Sequence, residues 1–475
     1  MKHSDRPPYG ILAVLMIGAF ITFLNNTLLN VALPSIMTDL DVETSTVQWL
    51  TTGFMLVSGI MIPASAFLIQ KFSVRHLFLA AMALFTIGTF IGGIAHVFSI
   101  LLTARMVQAS GAAIMMPLLM NVMLVSFPIA KRGTAMGVFG LILMFAPAIG
   151  PTLSGWIIEH YDWRMLFHFV TPIAAVILLI GFFLLKDKKE KVDLRLDLLS
   201  LLLSSIGFGG LLYGFSSAGR SGWGAIEVYS TIIAGVVALV WFILRQLKQE
   251  QPLLNFKVFQ YGMFSLSSVI SMIVNISMFS GILLLPIYVQ TIRGITPLEA
   301  GFMLLPGALL NAVMSPVTGK LFDKYGARML AVTGLSIITA STFFFSRLSV
   351  DTGYYYLMIL HAIRMLGVSM VMMPVSTNGL NQLPVRLYPH GTAMNNTLNQ
   401  ISAALGTAVL VTIMSNREAS HAARIAEEAG LRDLPLEAVM KAMMYGINDS
   451  FLVSAFIAAA AVFLALFIKR AKQSD

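Results

Sequence analysis

Two arginines lie inside long apolar stretches of the chain, where a charge needs a chemical reason. Arg105 and Arg364 each fall within a mostly apolar run of about 20 residues, long enough to cross a bilayer. A charge in such a setting is costly and usually marks a functional site or a buried partner. His361 lies three residues before Arg364, on the same helix face, and an imidazole can change its charge near neutral pH. These residues predict sites that bind or move charge. The alternative for either arginine is a structural role, capping carbonyls or snorkelling outward.

The chain shows no pattern of catalytic or metal-binding residues. It contains no cysteine, so disulfides and thiolate metal sites are excluded. No metal-ligand spacing, nucleophile arrangement or nucleotide-binding phosphate loop occurs. We therefore expect no enzyme, no metal and no cofactor. The net charge of +9 could suggest a nucleic-acid partner, but basic loops that set membrane orientation explain it, and we expect no nucleic acid.

The composition requires a lipid environment. Hydrophobic residues make up 57% of the chain, charged residues only 11%, and the mean hydropathy is +0.83. Because the apolar runs are long and do not alternate, they predict membrane-spanning helices and not barrel strands. We expect an all-α membrane protein with membrane lipids around it. The predicted spans are 10–33, 46–69, 75–96, 99–125, 134–157, 165–185, 196–216, 226–245, 263–289, 299–319, 327–347, 354–376, 391–414 and 450–469.

The distribution of basic residues predicts the orientation of these spans. Most of the 31 lysines and arginines fall in the two termini and the even-numbered connections. Since basic loops stay on the cytoplasmic side, both termini are expected to be cytoplasmic, in a bacterial cell (inner) membrane. The one sizeable outer loop, 416–448, reads as one or two short amphipathic helices. We interpret it as a solvated cap and not as a binding domain.

An internal repeat divides the spans into two halves. Residues 66–75 resemble residues 319–328, and in both halves the buried arginine, Arg105 or Arg364, is followed by Met-Met-Pro. Such repeats suit transporters, in which two bundles rock about one central site. We expect a six-helix bundle at 1–190, two inserted spans at 191–258, and a second six-helix bundle at 259–475.

The order of several short motifs resembles one family of transporters. Residues 319–328 carry Gly-x-Leu-x-Asp-Lys-x-Gly-x-Arg, and residues 102–113 carry Arg105 with a following Gln and Gly. Residues 24–34, 137–155 and 162–164 supply further pieces. Together they resemble the major facilitator superfamily, and within it the fourteen-helix drug:proton antiporter branch that includes quaternary-ammonium and lincomycin exporters. The resemblance implies two six-helix bundles plus two extra central helices, alternating access, and exchange of drugs for protons.

The repeated loop is expected to form a conformational latch. Asp323 can accept hydrogen bonds from the N-terminus of a neighbouring helix, where partial positive charge collects. In the first copy Gln70 replaces this acid, which weakens the charged latch there. Simple topogenic charge explains the basic residues equally well, but not Asp323. The predicted latch comprises Gly319, Asp323, Lys324, Gly326 and Arg328 in the second copy and Gln70, Lys71 and Arg75 in the first.

The fifth span is rich in small residues and prolines. Gly137, Gly150 and Gly155 allow close backbone approach, and Pro151 adds local bending. The family resemblance implies that this motif makes a tight contact between the halves that hinders leakage. Ordinary small-residue packing is the alternative and is compatible with that role.

The resemblance also implies an acidic residue in the first span, where this chain has Asn25 or Asn26. Helices one and four are neighbours in the resembled fold, so contact of these amides with Arg105 is expected. Because an amide does not titrate, three interpretations stay open. Coupling uses His361 or another histidine; or position 25 or 26 carries an introduced Asp→Asn substitution that mimics the protonated acid; or coupling uses a rim carboxylate. The rim carboxylates are Asp39, Asp41 and Glu159.

A cleft of methionines, aromatic rings and amides is expected between the halves. Methionine suits surfaces that must fit several ligands, and the acids within the predicted spans, Asp197, Glu227 and Glu299, lie only in the first two residues of a span. We therefore expect a monomer that binds neutral or weakly basic lipophilic compounds. The alternatives are export of one endogenous metabolite or lipid, and a lipid translocase or receptor-like protein without proton coupling. The candidate cleft residues are Phe23, Asn30, Met116, Met120, Asn121, Met144, Phe145, Asn275, Met278, Tyr288, Asn311, Met373, Asn395 and Asn399.

Overall fold

A computed structural model describes residues 9–186, 196–430 and 435–470, without the side chains of residues 30, 44, 45, 148, 220 and 297. Over these residues it contains 14 helices long and apolar enough to span a membrane, so the expected all-α fold is confirmed. The helices are α1 Tyr9–Asp39, α2 Trp49–Lys71, α3 Val74–Gly93, α4 Phe98–Ser126, α5 Arg132–His160, α6 Met165–Leu184, α7 Leu198–Ser221, α8 Ile226–Lys248, α9 Gly262–Ile287, α10 Pro297–Tyr325, α11 Ala327–Phe345, α12 Tyr354–Leu380, α13 Tyr388–Ala429 and α14 Leu436–Ala465.

The helices form two bundles with matching neighbours. In α1–α6, helix α1 packs against α5 and α6, α3 against α4 and α6, and α2 against α4. In α9–α14 the same pairs recur in the same order, with α9 against α13 and α14, α11 against α12 and α14, and α10 against α12. This repetition gives two six-helix bundles related as a tandem repeat, as transporter repeats are.

Two seams join the bundles, and the inserted hairpin covers one of them. The seams are α5 against α10, the most extensive helix pair in the described chain, and α2 against α13. Helix α7 packs against both α2 and α13, while α8 packs against α7. The indole N–H of Trp223, just beyond α7, donates to the Thr412 hydroxyl of α13 at 2.6 Å. The extra helices therefore lie across a seam.

The ends of α10 are set by its sequence and place a key carboxylate. At its start, the Thr296 hydroxyl accepts from Glu299 N at 3.3 Å, while the Glu299 carboxylate accepts from Thr296 N at 3.2 Å. This reciprocal cap satisfies two N–H groups that a helix start leaves free. At its end, Gly326 has φ +81°, a conformation that favours glycine, and the chain turns into α11. Asp323 is thus held in the last turn of α10.

The region predicted as a loop at 416–448 is mostly helical continuation, so the expectation of separate short helices is wrong. Helix α13 runs 42 residues to Ala429 and ends at Gly430 (φ +63°), and α14 already begins at Leu436. The alanine-rich, charged sequence is a good helix former, so the helices continue past the apolar stretch. An ion pair between Arg417 and Asp449, with N and O 2.5 Å apart, ties the two extensions together.

Candidate functional site

Two ends of the bundle are distinguished by the chain path. We call the end where α1 begins and α14 ends the terminal face, and the opposite end the loop face. The second copy of the predicted latch motif, which contains Asp323, lies on the terminal face. The carboxylate of Asp323, at the end of α10, accepts from Gly133 N and Thr134 N, both at 2.8 Å, and from the Thr134 hydroxyl at 2.6 Å. These donors form the first turn of α5, where the helix dipole favours a negative charge.

The other seam carries a related but uncharged contact. The Gln70 amide, at the end of α2, lies 3.1 Å from the His390 Nε2 atom in the first turn of α13. His390 Nδ1 accepts from Asn255 N, in the connection after the inserted hairpin, at 3.1 Å. The two copies of the repeated loop therefore meet the starts of equivalent helices, one through a carboxylate and the other through an amide.

The basic residues of the predicted latch play a different part. Lys71 lies over the Phe67 ring with its Nζ 5.4 Å from the centroid, and Arg75 donates to Phe182 O within the first bundle. Lys324 lies over the Tyr325 ring at 5.0 Å, and Lys324 and Arg328 are exposed. Gly319 passes so close to α5 that an added Cβ would lie 2.3 Å from Gly133 O. Of the predicted set, Gly319, Asp323 and Gln70 thus contact the opposite bundle.

The Arg105 side chain is fully buried and bonded to neutral groups. Its Nη2 donates to the Asn26 side-chain oxygen at 3.0 Å, its Nη1 donates to the Gln108 oxygen at 2.9 Å, and the Phe54 ring lies 4.4 Å from its Cζ. Asn25 is also buried, but its amide nitrogen has no hydrogen-bond partner among the described residues. The structure therefore brings Asn26, and not Asn25, to Arg105.

The Arg364 side chain occupies the equivalent place in the second bundle. It is fully buried, and its Nη2 donates to Ser277 O and to the Ser280 hydroxyl of α9. His361 is 5% exposed and lies against Gly307 of α10. The two residues of α12 thus face different neighbouring helices. Among the described residues, neither Arg105 nor Arg364 has a carboxylate within ion-pair distance.

Amides of the predicted cleft pair with one another across helices. The Asn275 amide of α9 donates to the Asn399 oxygen of α13 at 2.9 Å. Asn395 donates to the Ser376 hydroxyl at 2.9 Å. The Asn311 amide lies 4.0 Å from the Met365 sulfur. The remaining candidates from the first bundle and α12 that pack in one hydrophobic cluster are Phe23, Met116, Met120, Met144 and Met373.

Three cleft candidates lie elsewhere. Tyr288 is fully buried near the loop face, where its hydroxyl donates to Ser349 O at 2.6 Å, so its assignment to the cleft is wrong. Met278 packs in the hydrophobic cluster of the second bundle, and Phe145 is 38% exposed. The Asn121 side-chain oxygen is buried without a hydrogen-bond partner among the described residues. The Asn30 side chain lies outside the described residues.

Comparison with known proteins identifies the family. A family model described as the Major Facilitator Superfamily matches residues 15–407. The chain belongs to the major facilitator superfamily. It is 49% identical over 432 residues to the uncharacterized MFS-type transporter YhcA of Bacillus subtilis, covering 91% of this chain and 81% of that protein. It is 42% identical over 465 residues to the lincomycin resistance protein LmrB of Listeria monocytogenes, covering 98% of each.

The fold agrees with solved structures of the superfamily. The human organic anion transporter MFSD10 superposes with a TM-score of 0.69, covering 97% of this chain and 100% of that one, at 13% identity. At that identity the likeness shows the fold alone. The chain is a transporter and not an enzyme, as the family and its members establish.

Only part of the glycine- and proline-rich motif of α5 lies at the contact between the two bundles. An added Cβ at Gly137 would lie 2.6 Å from Ser315 O of α10, so this glycine allows the seam to close. Gly150 packs on Thr27 of α1, within the first bundle. Pro151 is exposed, and a Cβ at Gly155 would meet nothing within 4 Å. The expectation of close approach is therefore wrong at Gly155, because nothing packs against its side of α5, whereas the adjacent Ser154 is buried and its hydroxyl donates to Leu28 O of α1 at 2.7 Å.

Two arginines that the motif reading did not single out complete the terminal face. Arg132, at the start of α5, donates through Nη1 to the Asn381 oxygen and the Tyr388 hydroxyl, both at 2.9 Å, so it bridges the bundles. Arg470 Nη2 donates to Asp323 O at 2.5 Å, at the end of α10. A positive charge at the start of a helix is electrostatically unfavourable. The position of Arg132 at the start of α5 is therefore the feature of the sequence that indicates a specific partner for it.

Proposed function

We propose that this transporter is a secondary-active exporter of lipophilic neutral or weakly basic compounds, which it exchanges for protons by alternating access. We further propose that it acts as a monomer in the bacterial cell membrane with its terminal face toward the cytoplasm. The basic residues in the loops of that face support the orientation, because such loops stay cytoplasmic.

The observation that carries the proposal is the closed terminal face. Polar contacts at both seams, Asp323 with α5 and Gln70 with His390, lie at that end. On α5, Gly137 packs tightly against α10, because an added Cβ would lie 2.6 Å from Ser315 O. This arrangement is what a bundle pair closed on one side requires, and breaking the contacts would let the bundles tilt and expose the cleft to the other side.

The relatives support a drug-type substrate. The lincomycin resistance protein LmrB matches over 98% of both chains, and the multidrug export protein EmrB of Haemophilus influenzae is 27% identical over 417 residues. The paired amides Asn275 and Asn399 beside a methionine-rich cluster suit a ligand of varied shape with one or two polar groups.

The site of proton coupling rests on the groups near the buried arginines. Asn26 contacts Arg105 and cannot titrate, whereas His361 is buried beside α10 and can. Among the rim carboxylates, Asp39 is held by Arg164 at 2.8 Å. We favour His361 as the titrating group of the chain as it stands, because it lies where α10 and α12 meet.

Transport into vesicles tests the proposal. Purified protein in proteoliposomes should accumulate lincomycin, or a neutral lipophilic dye, when a pH gradient is imposed, and should lose this accumulation when an ionophore collapses the gradient. His361→Gln should abolish the effect of the gradient and retain downhill movement. Downhill movement in the unsubstituted protein that ignores the gradient would instead support an uncoupled lipid translocase, which the lack of a carboxylate at the buried arginines also favours.

A second assay separates drugs from one endogenous compound. A deletion strain should become sensitive to several unrelated lipophilic drugs. Unchanged drug sensitivity, with accumulation of one metabolite or lipid inside the cell, would contradict the multidrug proposal and favour a specific exporter.

A further inference from the structure

The guanidinium of Arg364 has donors that nothing in the described chain accepts. The side chain is fully buried, and only Nη2 is bonded, to Ser277 O and the Ser280 hydroxyl. Its Nε and Nη1 atoms have no hydrogen-bond partner in the part of the chain that the structure describes. A buried cation with unused donors is costly, and more so for a group that stays charged, as arginine does.

Hydroxyl groups from two helices surround this guanidinium. Ser277 and Ser280 come from α9 and Ser454 from α14, and the Ser454 hydroxyl lies 3.2 Å from the Ser277 hydroxyl and 3.1 Å from the Ser280 hydroxyl. All three serines are fully buried. Gly281 leaves room for the arginine, because an added Cβ there would collide with Nη1. The site is thus built from a guanidinium and three hydroxyls on three helices.

Arg105 shows what a matched arginine looks like in the same chain. Both of its Nη atoms donate to amide oxygens, those of Asn26 and Gln108, and a ring lies over its face. Gln108 is bonded in turn to Thr89 at 2.8 Å. The first bundle thus supplies acceptors to both Nη groups of its arginine and leaves only Nε without a partner among the described residues. The second bundle supplies one carbonyl and one hydroxyl to Nη2 of Arg364 and leaves both Nε and Nη1 without partners there.

The carboxylate of α14 that precedes Ser454 is already engaged. Asp449 accepts from Arg417 at 2.5 Å and from His421 Nε2 at 2.9 Å. Within the described residues it forms no ion pair with Arg364. Within the described residues, nothing therefore balances the charge of Arg364.

We propose that Arg364, with the hydroxyls of Ser277, Ser280 and Ser454, binds a small monovalent anion. The Nε–H and Nη1–H groups of Arg364, which have no acceptor among the described residues, are the donors that such an anion takes in a site without water. The serines hold the guanidinium in place, because Nη2 donates to the Ser280 hydroxyl, which in turn donates to Ser277 O at 2.6 Å. The anion would neutralise the buried charge and tie α12 to α9 and α14. This inference goes beyond the proposed export function and does not depend on which compound is exported.

Thermal unfolding of the purified full-length protein in a gluconate buffer, with added chloride or acetate, tests the site. A small anion that binds only the folded state raises the melting temperature with a saturable dependence on its concentration. Chloride and acetate distinguish a halide from a carboxylate as the better fit. Acetamide, which has nearly the shape of acetate without its charge, is the matched neutral probe and should give no shift.

Substitutions show which residues are responsible for the dependence of the melting temperature on the anion. Arg364→Gln should weaken the anion dependence by at least about tenfold, because hydrogen bonds to charged groups are each worth roughly that much. Arg105→Gln is the matched control and should retain the full dependence. Ser454→Ala keeps the charge and removes a hydroxyl, so it should bind the anion more weakly and serves if Arg364→Gln does not fold.

Three results would overturn the proposal. They are equal melting temperatures in gluconate, chloride and acetate; an equal shift with acetamide; and an anion dependence lost in Arg105→Gln but kept in Arg364→Gln. Saturable binding of radiolabelled chloride or acetate to the unsubstituted protein would support the proposal without any variant. Transport assays in gluconate report separately on the export function, so the two failures are distinguishable.

Discussion

At the residue scale, the most informative contact is an amide opposite a buried cation. Asn26 accepts from Arg105 at 3.0 Å, in the place where the family resemblance expects an acid. The neighbouring Asn25 is equally buried but has no partner for its amide nitrogen among the described residues. The two adjacent asparagines therefore provide a built-in comparison.

Asn26→Asp should create a buried ion pair with Arg105 and add a second titrating group to the one proposed at His361, which should raise the proton flux that accompanies transport. Asn25→Asp places a carboxylate without a partner and should destabilise the protein by about 3 kcal/mol, as an unpaired buried charge does. Proton flux in proteoliposomes and thermal unfolding measure both effects. Unchanged coupling in both variants would remove this site from the mechanism.

A second residue-scale prediction concerns pH and the loop face. A hydrogen bond from Arg164, and a further one from Trp163, lowers the pKa of Asp39 below its ordinary value of 3.8. The pKa of Asp39 is therefore lower in the folded protein than in the unfolded chain. The ion pair with Arg164 stabilises the folded protein fully at pH values above the unfolded-state pKa, and this stabilisation is lost as the pH falls through the folded-state pKa. The carboxylate is 42% exposed, so the effect is small, below about 1 kcal/mol.

Asp39→Asn should therefore lower the melting temperature slightly at neutral pH and not at all at a pH below the folded pKa. Melting curves of the two proteins across this range measure the difference. Asp41→Asn, a nearby exposed carboxylate, is the control. A difference that persists in strong acid would contradict the assignment to the Asp39 charge.

The contacts between individual side chains were the feature least predictable from the sequence. The sequence indicated that Arg105 and Arg364 are buried, because they interrupt apolar runs. It could not show that Arg105 meets Asn26 or that Arg364 meets Ser280, since these partners come from other helices and depend on helix rotation. Gln108, three residues after Arg105, is the partner that the sequence placed nearby. Tyr288 was misplaced because it lies at the loop-face end of α9, where its hydroxyl donates to Ser349 O.

At the element scale, the seam between α5 and α10 depends on one carboxylate and two glycines. Asp323 satisfies the first N–H groups of α5, and Gly137 and Gly319 let the two backbones approach. The natural chain has no cysteine, so a single introduced thiol reports on this seam without background labelling.

Asp323→Asn should open the terminal face more often, because the amide cannot accept from all the donors that the carboxylate serves. In a Ser315→Cys background, whose thiol is buried under the latch, maleimide labelling should speed up about tenfold. Lys324→Gln keeps the carboxylate and should label at the original rate. Equal acceleration by both substitutions would mean that general charge, and not the latch, governs opening.

Gly137→Val should block closure of the seam, since its Cβ would lie 2.6 Å from Ser315 O. Gly155→Val lies in the same helix and has the same intrinsic helix cost, but it meets nothing within 4 Å. Transport rates in proteoliposomes should therefore fall by at least about tenfold in the first variant only. Similar losses in both would show that helix propensity, and not the contact, is responsible.

Hydropathy predicted every membrane helix, because burial in lipid demands long apolar runs. It did not predict where α13 ends, since helix-forming residues continue the helix into water where no apolar signal marks them. Gly430, with φ +63°, is the residue that stops it. The latch was predictable in outline from the repeated motif, whereas Arg132 was missed because its partners, Asn381 and Tyr388, belong to the opposite bundle.

At the scale of the whole molecule, the inserted hairpin of α7 and α8 constrains how the two bundles can rock against each other. Helix α7 contacts α2 and α13, which belong to different bundles, and the chain leaving the hairpin reaches His390 through Asn255. Rocking must therefore slide α7 along one bundle or the other. Each of its two contacts contains a small residue, since Gly59 of α2 faces Leu212 of α7 and Gly219 of α7 faces Val411 of α13.

The buried charges of the whole molecule also limit its substrates. Two guanidiniums, Arg105 and Arg364, lie within the bilayer part of the bundles, and the predicted spans contain acids only in their first two residues. Charges in a medium of low dielectric constant act over long distances, so a cation in the cleft is repelled even without direct contact. An anion at Arg364 would cancel one of the two charges and leave the other, because Arg105 has only neutral partners.

We expect a permanently dicationic dye to bind at least about tenfold more weakly than a neutral analogue of the same size. Fluorescence titration of the purified protein with the two dyes measures this ratio. In Asn26→Asp the preference should shrink, because the new carboxylate offsets Arg105, and a dication that binds more tightly than the neutral dye in the unsubstituted protein would contradict the charge argument.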